Sequence, residues 1–186
     1  MEVYAPDEDT FLLADVLKKE NLAQKDVLEI GCGSGYLTKI MAEKGAQVTA
    51  VDINPAAVEA TKKLLSEEKL NGKVFPSDIF SNVVGTFDMV VFNPPYLPEN
   101  EDDEVVGSDE RYSGGKSGRE AVERFIHQSG KYLRPAGKIL LLISSVTGEQ
   151  DVFSEFIKSG FAARALARKK LDWEELVIFE AKITSL

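Results

Sequence analysis

Cysteine and histidine occur once each in this chain of 186 residues, at Cys32 and His127. No disulfide can therefore form within the chain, and the Cys/His set that a structural zinc site needs is missing, so no metal site is expected. Positive charge is also scarce: Lys plus Arg total 22 against 31 for Asp plus Glu, a net charge of -9. That balance opposes an extended phosphate-contact surface, though not a local basic patch, so nucleic acid is not the expected partner. No apolar run approaches the roughly 18 residues of a membrane span. The stretch Met1–Thr10 is polar and acidic, which rules it out as a secretory signal. Internal repeats and low-complexity linkers are absent. The expectation is a soluble, cytosolic protein forming a single domain over residues 1–186, too short for two ordinary domains. Its apolar fraction of 44% is ordinary for a globular core.

What is present is alternation. Phe11–Lys19 carries Leu13, Val16 and Leu17 at helical spacing, with Asp7, Glu8 and Asp9 at its start, where the helix dipole favours acids. Val27–Ile30 reads as a strand running into Gly31-Cys32-Gly33-Ser34-Gly35, and Leu37, Ile40 and Met41 then give a helix closed by Gly45. Gln47–Val51 is a second strand, ending at Asp52. Asn54 and Pro55 open the next helix, which Asn71-Gly72 ends. Lys73–Pro76 and Phe87–Phe92 are the third and fourth strands. Ser117 and Glu120, at capping-box spacing, open a helix running to about Tyr132. Lys138–Ser144 is the most apolar strand and reads as central, followed by a helix over Glu149–Lys158. Phe161–Lys169 and Glu174–Lys182 form a terminal antiparallel hairpin. The pattern predicts an α/β fold: a doubly wound, mostly parallel seven-stranded sheet with helices on both faces and a C-terminal antiparallel hairpin.

Chemistry-bearing residues fall at successive strand ends. The run Asp88–Phe92 stops at Asn93-Pro94-Pro95-Tyr96, where two prolines prevent a ladder or helix from continuing. A primary amide is thus placed at the carboxyl end of a strand, where open α/β sheets bind ligands. The side-chain oxygen of Asn93 and the carbonyl of Pro94 can together take both hydrogens of a planar NH2 group, and the ring of Tyr96 can cover a flat substrate. Upstream, the pattern is E-x-G-x-G-x-G from Glu29 through Gly31, Gly33 and Gly35. Tyr36 stands where a dinucleotide fingerprint wants glycine, which disfavours a nicotinamide-dependent oxidoreductase, and no P-loop lysine follows. Glu29 suits a ligand with an ammonium group. Asp52 can accept both hydroxyls of a ribose, Asp78 can accept from an adenine amino group, and the Ile79 N–H can donate to a ring nitrogen. Ammonium, ribose and adenine together describe S-adenosylmethionine as the cofactor.

The segments E-I-G-C-G-S-G (Glu29–Gly35), V-D-I-N (Val51–Asn54), D-I (Asp78–Ile79) and N-P-P-Y (Asn93–Tyr96) resemble those of class I S-adenosylmethionine-dependent methyltransferases. Y-A-P-D-E-D-T (Tyr4–Thr10) and S-G-G-K-S-G-R-E (Ser113–Glu120) narrow the resemblance to the HemK-type release-factor glutamine N5-methyltransferases. The short length, without an added amino-terminal domain, is more similar to the archaeal and eukaryotic branch. The resemblance implies that Glu29, Gly31 and Gly33 face the methionine end of the cofactor, that Asp52, Asp78 and Ile79 face ribose and adenine, and that Thr10 touches the cofactor as well. It implies catalytic roles for Asn93, Pro94 and Tyr96 at the acceptor, and a cofactor contact for Asn93 as well. The implied substrate is a glutamine in the Gly-Gly-Gln loop of a peptide-chain release factor. A small zinc-binding activator subunit, docking near the third strand, is the other implied partner. N-P-P-Y is shared with adenine-N6 methyltransferases of DNA and RNA, so that activity is the alternative. A non-catalytic scaffold is disfavoured by the intact set Glu29, Asp52, Asp78 and Asn93.

Four features fall outside this set. The acidic segment from Glu99 to Glu110 reads as a solvated loop or as a capture surface for a basic partner. Arg164, Arg168, Lys169 and Lys170 read as an exposed hairpin that balances charge, with Arg164 and Arg168 on one strand face by simple alternation. Cys32 is expected to be a small residue near the cofactor and not a nucleophile. His127 is expected to be structural.

Overall fold

The computed structural model describes residues 3–94 and 119–184. Tyr96, the acidic segment and the capping residue Ser117 lie outside the described residues. Helix α1 spans Glu8–Lys19, three residues earlier than the apolar spacing predicts, because Asp7 caps it by accepting from the Glu8 N–H. Then come β1 (Asp26–Ile30), α2 (Tyr36–Glu43), β2 (Gln47–Asp52), α3 (Pro55–Glu67) and β3 (Gly72–Pro76). The second half comprises β4 (Phe87–Phe92), α4 (Glu120–Ser129), β5 (Leu133–Ser144), α5 (Glu149–Lys158), β6 (Phe161–Lys170) and β7 (Glu175–Ile183). Past α4 a short 3-10 turn over Gly130–Tyr132 completes the helical stretch expected there.

The sheet has seven strands in the order β3-β2-β1-β4-β5-β7-β6. Strands β1 to β5 are mutually parallel, and the β6–β7 hairpin adds the antiparallel pairs. From β1 the chain winds outward through β2 and β3, then returns to start β4 on the other side of β1. The strand order therefore reverses between β1 and β4, the place where this architecture opens a crevice beyond the strand ends. Strand β5, expected at the centre, is interior and one place removed from the middle strand β4.

Parallel strands buried on both faces read as continuous apolar runs, and β5 shows why. Ile139, Leu141 and Ile143 pack with Val122, Phe125, Val152 and Phe156 of α4 and α5. Leu140 and Leu142 pack on the other face with Leu13 and Leu17 of α1 and Met41 of α2. Helix α3 lies beside α2 and β3. The α4 face holds an aromatic group: the Phe125 ring lies 4.9 Å from Phe92 and 5.6 Å from Phe80, which stacks at 4.3 Å on Tyr132. Phe92 is the last residue of β4, so this cluster is the floor under Asn93.

The hairpin departs from simple alternation. A bulge between Ala165 and Ala167 shifts the register, so Arg164 faces Glu180 while Arg168 faces Val177. Partners an odd number of positions apart on β7 point to opposite faces, so Arg164 and Arg168 lie on opposite faces of the sheet. Arg164 pairs with Glu180 at 2.8 Å, Arg168 with Glu149 and Glu175, and Lys169 with Glu8. Lys138 joins Glu180 and Glu20 on the α1 face. His127 pairs with Glu155 at 2.5 Å on the surface between α4 and α5, a structural contact. Among the described residues no helix is long and apolar enough to cross a membrane, and no His/Cys/Asp/Glu group could hold a metal ion.

Because Phe125 is fully buried in the floor cluster, Phe125→Ala should lower stability by about 3–5 kcal/mol. Urea denaturation of the two proteins measures the difference. A loss below about 1 kcal/mol would mean that the floor closes over the cavity.

Candidate active site

The register Ile30↔Phe92 ends β1 and β4 at the same height. The two loops that follow therefore start side by side. A Cβ on Gly31 would lie 3.5 Å from the Phe92 ring and 3.8 Å from the Asn93 carbonyl oxygen, so the glycine loop lies directly against the Asn-Pro segment. Gly31, Gly33 and Gly35 have φ of 70°, 50° and 83°, left-handed backbone that other residues adopt only with strain. At Gly35 space is restricted as well, since an added Cβ would come within 3.1 Å of the Thr61 backbone. The amino-terminal segment crosses this loop, with the Tyr4 carbonyl 3.7 Å from the position of a Gly33 Cβ.

Asp52 ends β2 beside the loop. One carboxylate oxygen accepts from the Gly33 N–H at 2.9 Å and the other from the Asn54 N–H at 2.8 Å. The sequence suggests a carboxylate free for a ligand, whereas the structure gives it a second duty as a brace for the glycine loop. A carboxylate has about four lone-pair sites, so both oxygens retain capacity to accept from hydroxyls. The next residue, Ile53, is 70% exposed, an apolar side chain left beside a polar strand end. Asp78 follows β3, and Arg124 of α4 reaches it at 2.6 Å. Ile79 is buried with φ 48°, so the turn that presents Asp78 is itself left-handed.

Glu29 has its carboxyl wholly within the protein, accepting from the Thr38 hydroxyl of α2. Desolvation dominates and pushes its pKa up to about 8; the Thr38 hydrogen bond lowers it and the charge of Asp52 adds to the rise. Cys32 is also buried, with the Thr61 hydroxyl on its sulfur at 3.3 Å. Burial first, then the nearby Glu29, drives its thiol far above the ordinary range. A thiol held protonated is not a nucleophile.

Beyond β4 the polar contacts centre on Asn93. Its side-chain nitrogen donates to Asp9 at 3.1 Å, and its side-chain oxygen is buried without a partner. Asp9 is only 4% exposed and also accepts from the Tyr4 hydroxyl at 2.9 Å and from the backbone and hydroxyl of Thr10. Thr10 thus buttresses Asp9, and Pro94 is buried next to Asn93. The structure brings Thr10, Glu29, Gly31, Gly33, Asp52, Asn93 and Pro94 to the β1/β4 crevice and its rim, with Asp78 and Ile79 at the end of β3. Asp9, Tyr4, Thr38, Ile53 and Arg124 were not singled out from sequence. Tyr4 and Asp9 carried a signal as members of the motif Tyr4–Thr10, and Ile53 as a member of V-D-I-N; Thr38 and Arg124 carried none.

The Glu29 environment has a measurable consequence. Its folded pKa of about 8 lies above the unfolded value of 4.5, so the folded chain holds a proton that the unfolded chain releases in between. Stability should therefore decline as pH rises through this window and level off beyond it. Glu29→Gln keeps an acceptor for Thr38 and cannot titrate. Urea midpoints from pH 5 to pH 8.5 should fall for wild type and stay flat for Glu29→Gln. Parallel curves for both proteins would assign the decline to other groups.

The residues present fit S-adenosylmethionine: a glycine cradle, a strand-end carboxylate for ribose, an exposed apolar side chain for a flat ring, and an unpartnered acceptor oxygen beyond them. Comparisons with known proteins agree. Residues 4–109 match the family described as methyltransferase small domain. A putative protein N5-glutamine methyltransferase of Methanocaldococcus jannaschii is 42% identical over 97% of this chain and 91% of its own length. Methyltransferase HEMK2 of Mus musculus is 31% identical over 90% of this chain and 84% of its own. The chain also superimposes on a solved structure of the E. cuniculi Mtq2-Trm112 complex with a TM-score of 0.80 and 28% identity, covering 99% of this chain and 100% of that one. That complex is described as responsible for methylating the translation termination factor eRF1. With motifs, fold and relatives in agreement, the chain belongs to the methyltransferase small domain family, as a class I S-adenosylmethionine-dependent methyltransferase of the HemK/N5-glutamine type.

Proposed function

We propose that this enzyme methylates the side-chain amide nitrogen of a glutamine in a peptide-chain release factor. The observation that carries this reading is the buried, unpartnered side-chain oxygen of Asn93, aimed by Asp9. A buried acceptor without a partner costs free energy comparable to a lost hydrogen bond, and a ligand that donates N–H removes that cost. A glutamine carboxamide presents two such hydrogens, one for Asn93 and one for the carbonyl of Pro94. The protein relative from Methanocaldococcus jannaschii and the complex acting on eRF1 favour a protein amide of this kind. The same relatives favour the archaeal and eukaryotic branch.

When bound, S-adenosylmethionine supplies the methyl group as a sulfonium electrophile. Gly31 and Gly33 would cradle its methionine end, Asp52 would accept from the ribose hydroxyls, and Ile53 and Asp78 would take the adenine. An amide nitrogen is a poor nucleophile because its lone pair is delocalised into its carbonyl. Asn93 and Pro94 offset this by holding the amide in one orientation and by accepting hydrogen bonds that strengthen as the nitrogen becomes more positive. The nitrogen's proton then leaves to solvent.

A small activator subunit, the partner that the family resemblance implies, would find a strand at the sheet edge; Mtq2 too is found in a complex, with Trm112. Among the described residues β3 pairs with β2 alone, and Val74 and Phe75 on it are half-buried. The adenine-N6 reading shares the NH2 grip. Against it, Arg164, Arg168 and Lys169 are already paired with acids within the fold.

Incubation with labelled S-adenosylmethionine and, separately, a termination factor, duplex DNA and RNA, each with and without a candidate activator subunit, decides between them. Transfer to the factor alone is expected; transfer only to nucleic acid would overturn the reading. Asn93→Ala should bind the cofactor normally and lose at least about a hundredfold in turnover. Turnover within a few-fold of wild type would end the amide-grip mechanism.

Asp52→Ala should weaken cofactor binding by roughly ten- to a hundredfold, since charged hydrogen bonds contribute about 1.5–3 kcal/mol. Asp52→Asn should be milder, because its oxygen can still serve either the Gly33 N–H or a hydroxyl. Calorimetric titration of the three proteins tests this, and equal affinities would reduce Asp52 to a brace for the loop.

A further inference from the structure

Asn93 has a carboxamide whose two ends look alike in shape and opposite in hydrogen bonding. Which end faces the acceptor decides what the site can recognise. With its oxygen outward, the site takes an N–H donor; with its nitrogen outward, it takes an acceptor such as a carboxylate. The direction is set by whatever touches the other end of the amide. In this chain that group is Asp9, whose two oxygens already receive the Tyr4 hydroxyl, the Thr10 N–H and the Thr10 hydroxyl. A carboxylate so occupied can only accept, so Asn93 must turn its nitrogen toward Asp9, and the contact measures 3.1 Å. The side-chain oxygen is then left buried without a partner.

We propose that Asp9 is a positioning and specificity-determining residue that acts through Asn93, locking its amide so that the site reads only N–H donors and rejects a carboxylate. The inference rests on the amide-acceptor reading above and sharpens it: the enzyme should separate glutamine from glutamate, side chains of nearly equal size, by hydrogen-bond polarity. A glutamate would set its oxygens against the Asn93 oxygen and the Pro94 carbonyl. Sites built to bond an N–H reject an analogue lacking it, because their own buried groups are left unpaired. Asp9 is buried in the first turn of α1, and Tyr4 and Thr10 keep its carboxylate from rotating. The amino-terminal segment therefore sets the acceptor specificity of a residue 84 positions away in sequence.

The test uses the full chain in four forms: wild type, Asp9→Asn, Asn93→Ala and the double variant. Asparagine at position 9 keeps the shape but can itself turn, so the amide of Asn93 is no longer held one way. The expected result is a loss of about ten- to a hundredfold in kcat, with S-adenosylmethionine affinity by calorimetry and thermal midpoint near wild type. The double variant should be no slower than Asn93→Ala alone. Inhibition by a glutamate-containing peptide, measured against its glutamine twin, should be weak in wild type and strengthen in Asp9→Asn. Unchanged kcat and selectivity in Asp9→Asn, or losses that simply multiply in the double variant, would overturn the proposal. One readout is independent of substrate and of any variant's folding. In a nitrogen-15 spectrum of wild type, the Asn93 side-chain amide should show one proton slowed in exchange by its bond to Asp9, and a pair exchanging at the solvent rate would also overturn it. If wild type methylates no amide peptide, the substrate reading fails, and this spectrum still decides the role of Asp9.

Discussion

The parallel pairing of β1 with β4 is the constraint on which the site depends. It joins strands distant in sequence and ends them level, at Ile30 and Phe92. The backbone beyond each strand has no ladder to join, so its polar groups are available to ligands or to the next loop. Here the two loops meet: a Cβ on Gly31 would be in ordinary contact with the Phe92 ring and the Asn93 carbonyl, and it is the φ of 70° that favours glycine there. A slip of one residue in this pairing would turn Leu28 and Ile30 toward α1 and α2, and Glu29 toward the aromatic cluster. Core packing thereby fixes the relative height of the glycine loop and the Asn93-Pro94 segment.

Polar groups around this junction divide into two kinds. Glu29 on Thr38, Asp52 on the Gly33 N–H and Asp9 on Tyr4 and Thr10 are satisfied within the fold and hold loops in place. The Asn93 oxygen is not satisfied. Buried polar atoms in folded proteins nearly always find partners, so one left open among braced neighbours marks where a ligand belongs. The satisfied set keeps the open atom rigid, which is the arrangement that positioning catalysis demands.

The strand ends were legible because each is punctuated chemically. Glycines after Ile30, Asp52 after Val51 and Asn-Pro-Pro after Phe92 interrupt apolar runs whose burial the sheet then confirms. The hidden parts are those where the same letter serves two physical roles. Asp9 in a first helical turn looks like any acid placed for the dipole; its burial against Asn93 depends on α1 packing over the crevice, which spacing does not encode. Asp52 looked free because its backbone donor, Gly33, lies on another loop. The opposed faces of Arg164 and Arg168 follow from a bulge at Ala165–Ala167, and a one-residue insertion in register leaves no trace in a run of alanines and cations.

Charge and hydrogen-bond polarity play separate parts in this molecule. Arg164, Arg168 and Lys169 of the terminal hairpin are paired with acids from α1, α5 and β7, so these three contribute little field with which to gather phosphates. The polar groups at the crevice are instead uncharged or braced atoms, whose direction matters more than their charge. Such a site gains little from long-range steering of charge, since a neutral acceptor such as an amide has a dipole and no net charge. It gains from excluding water and from acceptors that cannot turn away. The fully buried core on both faces of β4 and β5 serves that end, because rigid strands and packed helices hold a carboxamide to one orientation where a loop alone would let it rotate.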